Sequence, residues 1–150
     1  MTLRIPPIIQ FLVCGALGWG LSRLAPFLAF EGAWRNVAAL LFFSAGAVIL
    51  ALALSAFIRA RTTVNPLAPE EAESLVTSGL YRISRNPMYL AMALVLTGCA
   101  FLFGNLAAFA GPLLFVSFVT LSQIKPEEHA LQAKFGAAFA AYRQCTRRWI

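Results

Sequence analysis

The sequence predicts an all-α integral membrane protein with about four transmembrane helices and a C-terminal amphipathic interfacial helix. Hydrophobic residues fill 60% of the 150 positions and charged residues only 12%. A soluble domain of this length cannot bury so much apolar surface. The apolar residues gather into runs long enough to cross a bilayer core of about 30 Å. The basic residues behind the formal net charge of +6 flank those runs, as the positive-inside rule requires. They do not cluster with aromatics on a polar face, so the expected partner is the lipid bilayer and not nucleic acid. At this length residues 1–150 form a single domain.

The first run, 7–28, carries Gln10 and Arg23 near its ends, where long polar side chains can snorkel to the interface. Gly15, Gly18 and Gly20 give it a flat strip suited to close helix packing. Gly18-Trp19-Gly20 is not a nucleotide loop, because no strand precedes it. No cleavage-site pattern follows the run, so a retained helix is expected there, not a cleaved signal. Glu31 to Arg35 forms a turn with Trp34 at the interface. The second run, 36–58, is rich in Leu, Ala and Phe and reads as scaffold.

Residues 59–86 form a polar connection, with Thr62, Thr63, Asn65, Pro66, Pro69, Ser74 and Gly79 as turn formers. Glu70, Glu71 and Glu73 read either as a solvated first helical turn or as part of a closure over a cofactor. Runs 88–104 and 106–124 form a tight hairpin turning at Gly104-Asn105. Gly111-Pro112 predicts a kink in the second arm. In 126–145, Leu131, Phe135, Phe139 and Tyr142 recur at helical spacing. Lys134, Arg143, Arg147 and Arg148 lie off that stripe or beyond it, as in a helix lying at the membrane surface. Cys14, Cys99 and Cys145 show no paired spacing and His129 is the only histidine, so neither a disulfide framework nor a metal site is indicated. Arg4, the 59–85 connection and the tail outweigh Arg23 and Arg35. The expected topology is multi-pass, in a bacterial inner membrane, with both termini cytoplasmic.

Thr77 to Leu90 packs two Arg, two Tyr, an Asn and a Pro into the entry to one membrane helix. Polar side chains at membrane depth are costly unless buried in protein or facing water, which marks the stretch as a candidate site. The same residues admit a purely structural account. Asn86 suits an N-cap and Pro87 a first helical position. Tyr81 and Tyr89 suit interfacial anchors, and Arg82 and Arg85 topology signals. Glu127 and Glu128, after Pro126, likewise suit a first helical turn. Antiparallel arms would bring 81–89 and 123–128 to the same end of the hairpin.

Gly79-Leu80-Tyr81, Arg85-Asn86-Pro87-Met88-Tyr89, and Glu127-Glu128 with Leu131, Phe135-Gly136 and Tyr142 resemble the isoprenylcysteine carboxyl methyltransferase family. That membrane family is itself similar to the phospholipid N-methyltransferases, and the resemblance covers about residues 61–150. It implies S-adenosylmethionine as cofactor, with Tyr81, Asn86, Pro87, Met88, Tyr89 and Glu127 lining the donor site. Glu128, Leu75 and Val76 are carried over as further cofactor-binding positions, and Gln123 and Arg85 as substrate-side positions. The side chains suit the task. A carboxylate can pair the cofactor's ammonium or take its ribose hydroxyls. The amides at the helix start can hold its carboxylate, and a tyrosine can cover its ring or face its sulfonium. Methyl transfer needs alignment and a dry site more than a nucleophile from the protein, and no metal is implied. This chain departs from the family at two places. Asn86 stands where His is usual and cannot carry a proton. Gln123 stands where the prenylcysteine enzymes have an Arg facing the substrate carboxylate. The expected acceptor is an apolar or amphiphilic small molecule from the bilayer: a lipid amine, a thiol or a carboxylate. The other reading is a non-catalytic membrane protein of the same fold that binds a lipid or a partner subunit.

Overall fold

The computed structural model describes residues 5–60 and 75–150. Five helices carry the fold: α1 (Pro7–Leu24), α2 (Trp34–Ala60), α3 (Pro87–Phe103), α4 (Ala110–Val119) and α5 (Lys125–Cys145). Proline opens α1 and α3, where its missing N–H has no helical partner to lose. α3 ends at Gly104 in the left-handed conformation, with φ 63°. The positive φ favours glycine, and a Cβ added there would lie 2.0 Å from Nη1 of Arg35, so a side chain would also displace that guanidinium.

Asn105 secures the turn that follows. Its side chain accepts from the Ala107 amide at 2.8 Å and donates to the carbonyls of Ser22 (3.2 Å) and Ala25 (2.8 Å). The Phe30 amide donates to the Gly104 carbonyl at 2.8 Å. The ends of α1 and α3 and the starts of α2 and α4 therefore meet at one end of an antiparallel bundle. At the other end the Phe57 ring meets Tyr81, and Ser122 meets Gln10.

Among the described residues, Pro7–Leu24, Trp34–Ala60 and Leu106–Cys145 are long and apolar enough to cross a membrane; Pro87–Phe103, at 17 residues, is shorter. The large apolar side chains of α1 and α2 face outward, among them Leu12, Leu40, Leu41 and Ile58. Apart from Pro7 and Gln10 at the start of α1, their buried positions are small: Cys14, Gly18, Ala39, Gly46, Ala53 and Ala56. Lipid tails are as apolar as leucine, so helices in a bilayer associate by close backbone approach, not by hiding large side chains. A Cβ on Gly18 would sit 2.8 Å from the Ala108 carbonyl oxygen, and one on Gly111 2.8 Å from that of Cys14. A Cβ on Gly20 would meet nothing within 4 Å, so Gly20 is not part of the packing strip.

The second arm differs from expectation in two ways. Gly111-Pro112 makes no kink, because both residues lie in the first turn of α4. The irregularity is a π turn, Thr120–Ile124, which joins α4 to α5 without a break. Pro126 has no N–H for the carbonyl one turn back and its ring crowds that carbonyl; the wider turn just before it makes room. The tail is therefore a continuation of the second arm, interrupted at Gly136 (φ 50°, ψ −120°) and not begun afresh at Pro126. Arg4, Glu70, Glu71, Glu73 and the rest of the 61–74 connection lie outside the described residues.

Candidate functional site

The loop into α3 is anchored by packing. Val76 and Tyr81 are buried with Ala53 and Ala56 of α2, and Met88 and Phe57 pack against them. The Tyr81 ring meets Phe57 edge-on at 5.4 Å. Leu75 is half-buried at the start of this segment. In the first turn of α3, Tyr89 lies in a second buried cluster with Cys14, Leu96, Phe115 and Ile124.

Tyr89 Oη donates to Oε1 of Glu127 at 2.6 Å. Burial pushes the Tyr81 phenol well above its ordinary pKa, and nearby Tyr142 and the Glu127 carboxylate push it further. Tyr81 is therefore a neutral phenol at any physiological pH. The two tyrosines and Glu127 share one buried corner at the start of α3. The first amides of that helix have no carbonyl one turn back.

Glu128 points into a different set of contacts. Its Oε1 accepts from Arg85 Nη2 at 2.7 Å and Arg148 Nε at 3.0 Å, and its Oε2 from Arg148 Nη2 at 2.7 Å. Arg85 also donates through Nη1 to the carbonyl of Thr146 and, at 3.5 Å, to that of Arg143. Donation to the Glu128 carboxylate raises the pKa of Arg148, so this guanidinium stays charged. Both carboxylate oxygens of Glu128 are thus engaged by cations of the chain itself.

The C-terminal residues form a strap across the 81–86 loop. The Arg85 amide donates to the Arg147 carbonyl (3.0 Å), and Asn86 Nδ2 to that of Arg148 (2.9 Å). Tyr142 Oη donates to the Tyr81 carbonyl at 2.5 Å, and Trp149 packs on the cluster around Tyr89. Asn86 stands at the N-cap position of α3, but its side chain makes no capping bond. That amide is spent on the Arg148 carbonyl, while the Asn86 N–H donates to Ser84 Oγ at 3.1 Å. Pro87 is fully buried as the first residue of the helix.

Gln123 lies apart from this corner. It is fully buried, and its Nε2 donates to the carbonyl of Ile5 ahead of α1. Gln10 Nε2 donates to the same carbonyl at 2.9 Å, and Ser122 Oγ lies 3.0 Å from Gln10 Oε1. Gln123 Oε1 and Arg85 Nε are buried with no hydrogen-bond partner among the described residues. Sequence reasoning missed the strap formed by Tyr142, Thr146, Arg147 and Arg148. Its signal was the run Thr-Arg-Arg-Trp at 146–149, polar and basic, closed by an aromatic after the apolar stripe.

The family model described as phospholipid methyltransferase matches residues 34–138, more than half of the chain. The chain belongs to the phospholipid methyltransferase family. An uncharacterized protein of Haemophilus influenzae is 36% identical over 63 residues, which are 42% of this chain and the whole of that relative. No solved structure matches. In this phospholipid methyltransferase family member the matched span contains the Tyr81–Tyr89 stretch and Glu127-Glu128, and it ends before the strap.

Proposed function

We propose that the protein transfers the methyl group of S-adenosylmethionine to an apolar or amphiphilic acceptor drawn from the bilayer. The observation that carries this reading is the hydrogen bond from the buried Tyr89 to the half-buried Glu127, beside the buried Tyr81 at the N-terminus of α3. Methyltransferase family membership supports the reaction class. The cofactor would supply an electrophilic methyl on a sulfonium. Glu127 would hold its ammonium or ribose hydroxyls, oriented by the Tyr89 phenol. The amides of Met88 and Tyr89 would take its carboxylate, with Arg85 Nε as a buried donor that has no described partner. Tyr81 and Tyr89 would line the ring and sulfonium end. Asn86 cannot carry a proton, and with its amide on the Arg148 carbonyl it is a positioning residue.

On the acceptor side, Gln123 favours a neutral or cationic group over a carboxylate. Its Nε2 is taken by Ile5, and its remaining Oε1 can only accept. A carboxylate entering an apolar site needs a cation to offset its desolvation, whereas an N–H or O–H donor satisfies that oxygen. The count of basic residues supports a cytoplasmic position for this end of the bundle. The test is methyl transfer from labelled S-adenosylmethionine to prenylated cysteine acids, aminophospholipids and small apolar thiols, with donor binding measured alongside in detergent. Label entering the amines or thiols is the expected result. Robust turnover of the acids overturns the acceptor assignment. Absence of both donor binding and transfer overturns the function.

A further inference from the structure

The end of the bundle opposite the candidate site holds a cavity of about 420 Å³, within the size range of small-molecule sites. Its walls include Trp19, Leu102 and Phe103, and two guanidiniums, Arg23 and Arg35, line it. Arg23 stacks over the Trp19 ring at 5.6 Å. Arg35 is half-buried against the Gly104 turn. Among the described residues neither guanidinium forms an ion pair, and neither donates a hydrogen bond. Glu31 and Arg35 both line an adjoining cavity of about 350 Å³, yet they form no ion pair.

These two arginines run against the charge pattern of the chain. The other basic groups of the described bundle lie at the strap end or along α5, and the few expected at this end both face one cavity. The surroundings are lipid-like. Leu24 and Phe27 beside the cavity are 80% and 83% exposed, and Trp34 is 54% exposed. A guanidinium pair with an apolar apron suits an amphiphile with an anionic head and hydrocarbon tails. The planar fork of Arg matches two oxygens of a phosphate.

We infer that the Arg23–Arg35 cavity binds the phosphodiester headgroup of a membrane phospholipid, in the leaflet opposite the candidate methyl-transfer site. The phosphate accepts from both guanidiniums, and the acyl chains lie along Leu24 and Phe27. The lipid ties the end of α1 to the start of α2 at the α3–α4 turn, where Arg35 already packs. It is a bound component distinct from the methyl acceptor.

The experiment is native mass spectrometry of the full chain released from detergent, titrated with phosphatidylglycerol, phosphatidylcholine or inorganic phosphate. The variants are R23Q, R23K, R35Q and R23Q/R35Q, each checked for helix content by circular dichroism. Both phospholipids should saturate a site on the unmodified protein. R23Q should weaken it about tenfold and the double variant further, as expected for lost charged hydrogen bonds; R23K should fall between. If R35Q fails to fold because of its contact with the Gly104 turn, R23Q and R23K carry the test. Equal lipid occupancy in the unmodified protein and R23Q overturns the proposal and leaves the arginines as interfacial anchors. Inorganic phosphate binding as well as the lipids overturns the lipid as ligand.

Discussion

Glu128→Ala should be among the most destabilising polar substitutions in this chain. The carboxylate is 11% exposed and holds Arg85, itself 10% exposed, at 2.7 Å. Removing it leaves a buried guanidinium with only the Thr146 and Arg143 carbonyls. Breaking a buried pair by deleting one partner costs about 3–5 kcal/mol, and the surviving carbonyl contacts favour the lower end. Arg148, 34% exposed, is partly screened by solvent and adds about 1 kcal/mol or less. For a chain of this size roughly 3 kcal/mol lowers the midpoint by about 6–12 °C. The assay is thermal unfolding in detergent followed by reaction of Cys14, 1% exposed, with a thiol dye, in a Cys99→Ala/Cys145→Ser background, since Cys99 is only half-buried. Arg148→Ala should cost distinctly less than Glu128→Ala. A Glu128→Ala midpoint within about 2 °C of the parent would refute the reasoning. An Arg148→Ala midpoint below that of Glu128→Ala would shift the weight to the strap itself.

Glu127→Ala should leave the fold intact and weaken S-adenosylmethionine binding roughly ten- to a hundredfold, since a charged hydrogen bond is lost; titration calorimetry in detergent reads this, and unchanged affinity would make Glu127 a helix residue only. Removing residues 146–150 should lower donor affinity more than Ile150→Ala does, because the Asn86 and Arg85 contacts go with the strap. Gly18→Leu should sharply reduce folded protein recovered from membranes, as its Cβ would lie 2.8 Å from the Ala108 carbonyl oxygen; Gly20→Leu, facing open space, should not. Reporter fusions after Gly32 and Asn105 should report the side opposite to one after Ile150.

The bundle was legible because hydropathy runs and a Gly-Asn turn are local signals. Asn105 and Gly104 advertise the turn they make. The meeting of Tyr89 with Glu127 followed from antiparallel arms, which bring distant positions together by topology alone. The π turn was not legible. It is a choice of backbone partner among apolar residues, marked only by Pro126 downstream. The side-chain capping suggested for Asn86 is not made, for a related reason. A cap is a local preference, and the Arg148 carbonyl that competes for this side chain is 62 residues away. Glu128 looked interchangeable with Glu127. Which neighbour meets tyrosine and which meets arginine depends on helix rotation, not on residue type.

That rotation gives the π turn a meaning in terms of phase. In an unbroken α-helix the inward face marked by Phe115 and Val119 would next return near residues 122 and 126. One extra residue in the turn advances the face by about 100°. The buried positions become Gln123, Ile124 and Glu128, with Glu127 turned to Tyr89. Substitutions at the less buried positions Thr120, Leu121 and Ser122 can be absorbed by packing, but a one-residue deletion would swing both carboxylates away from their partners together. In this segment the number of residues is constrained alongside the buried Gln123 and Ile124. Functional relatives should vary the outer positions while keeping the length.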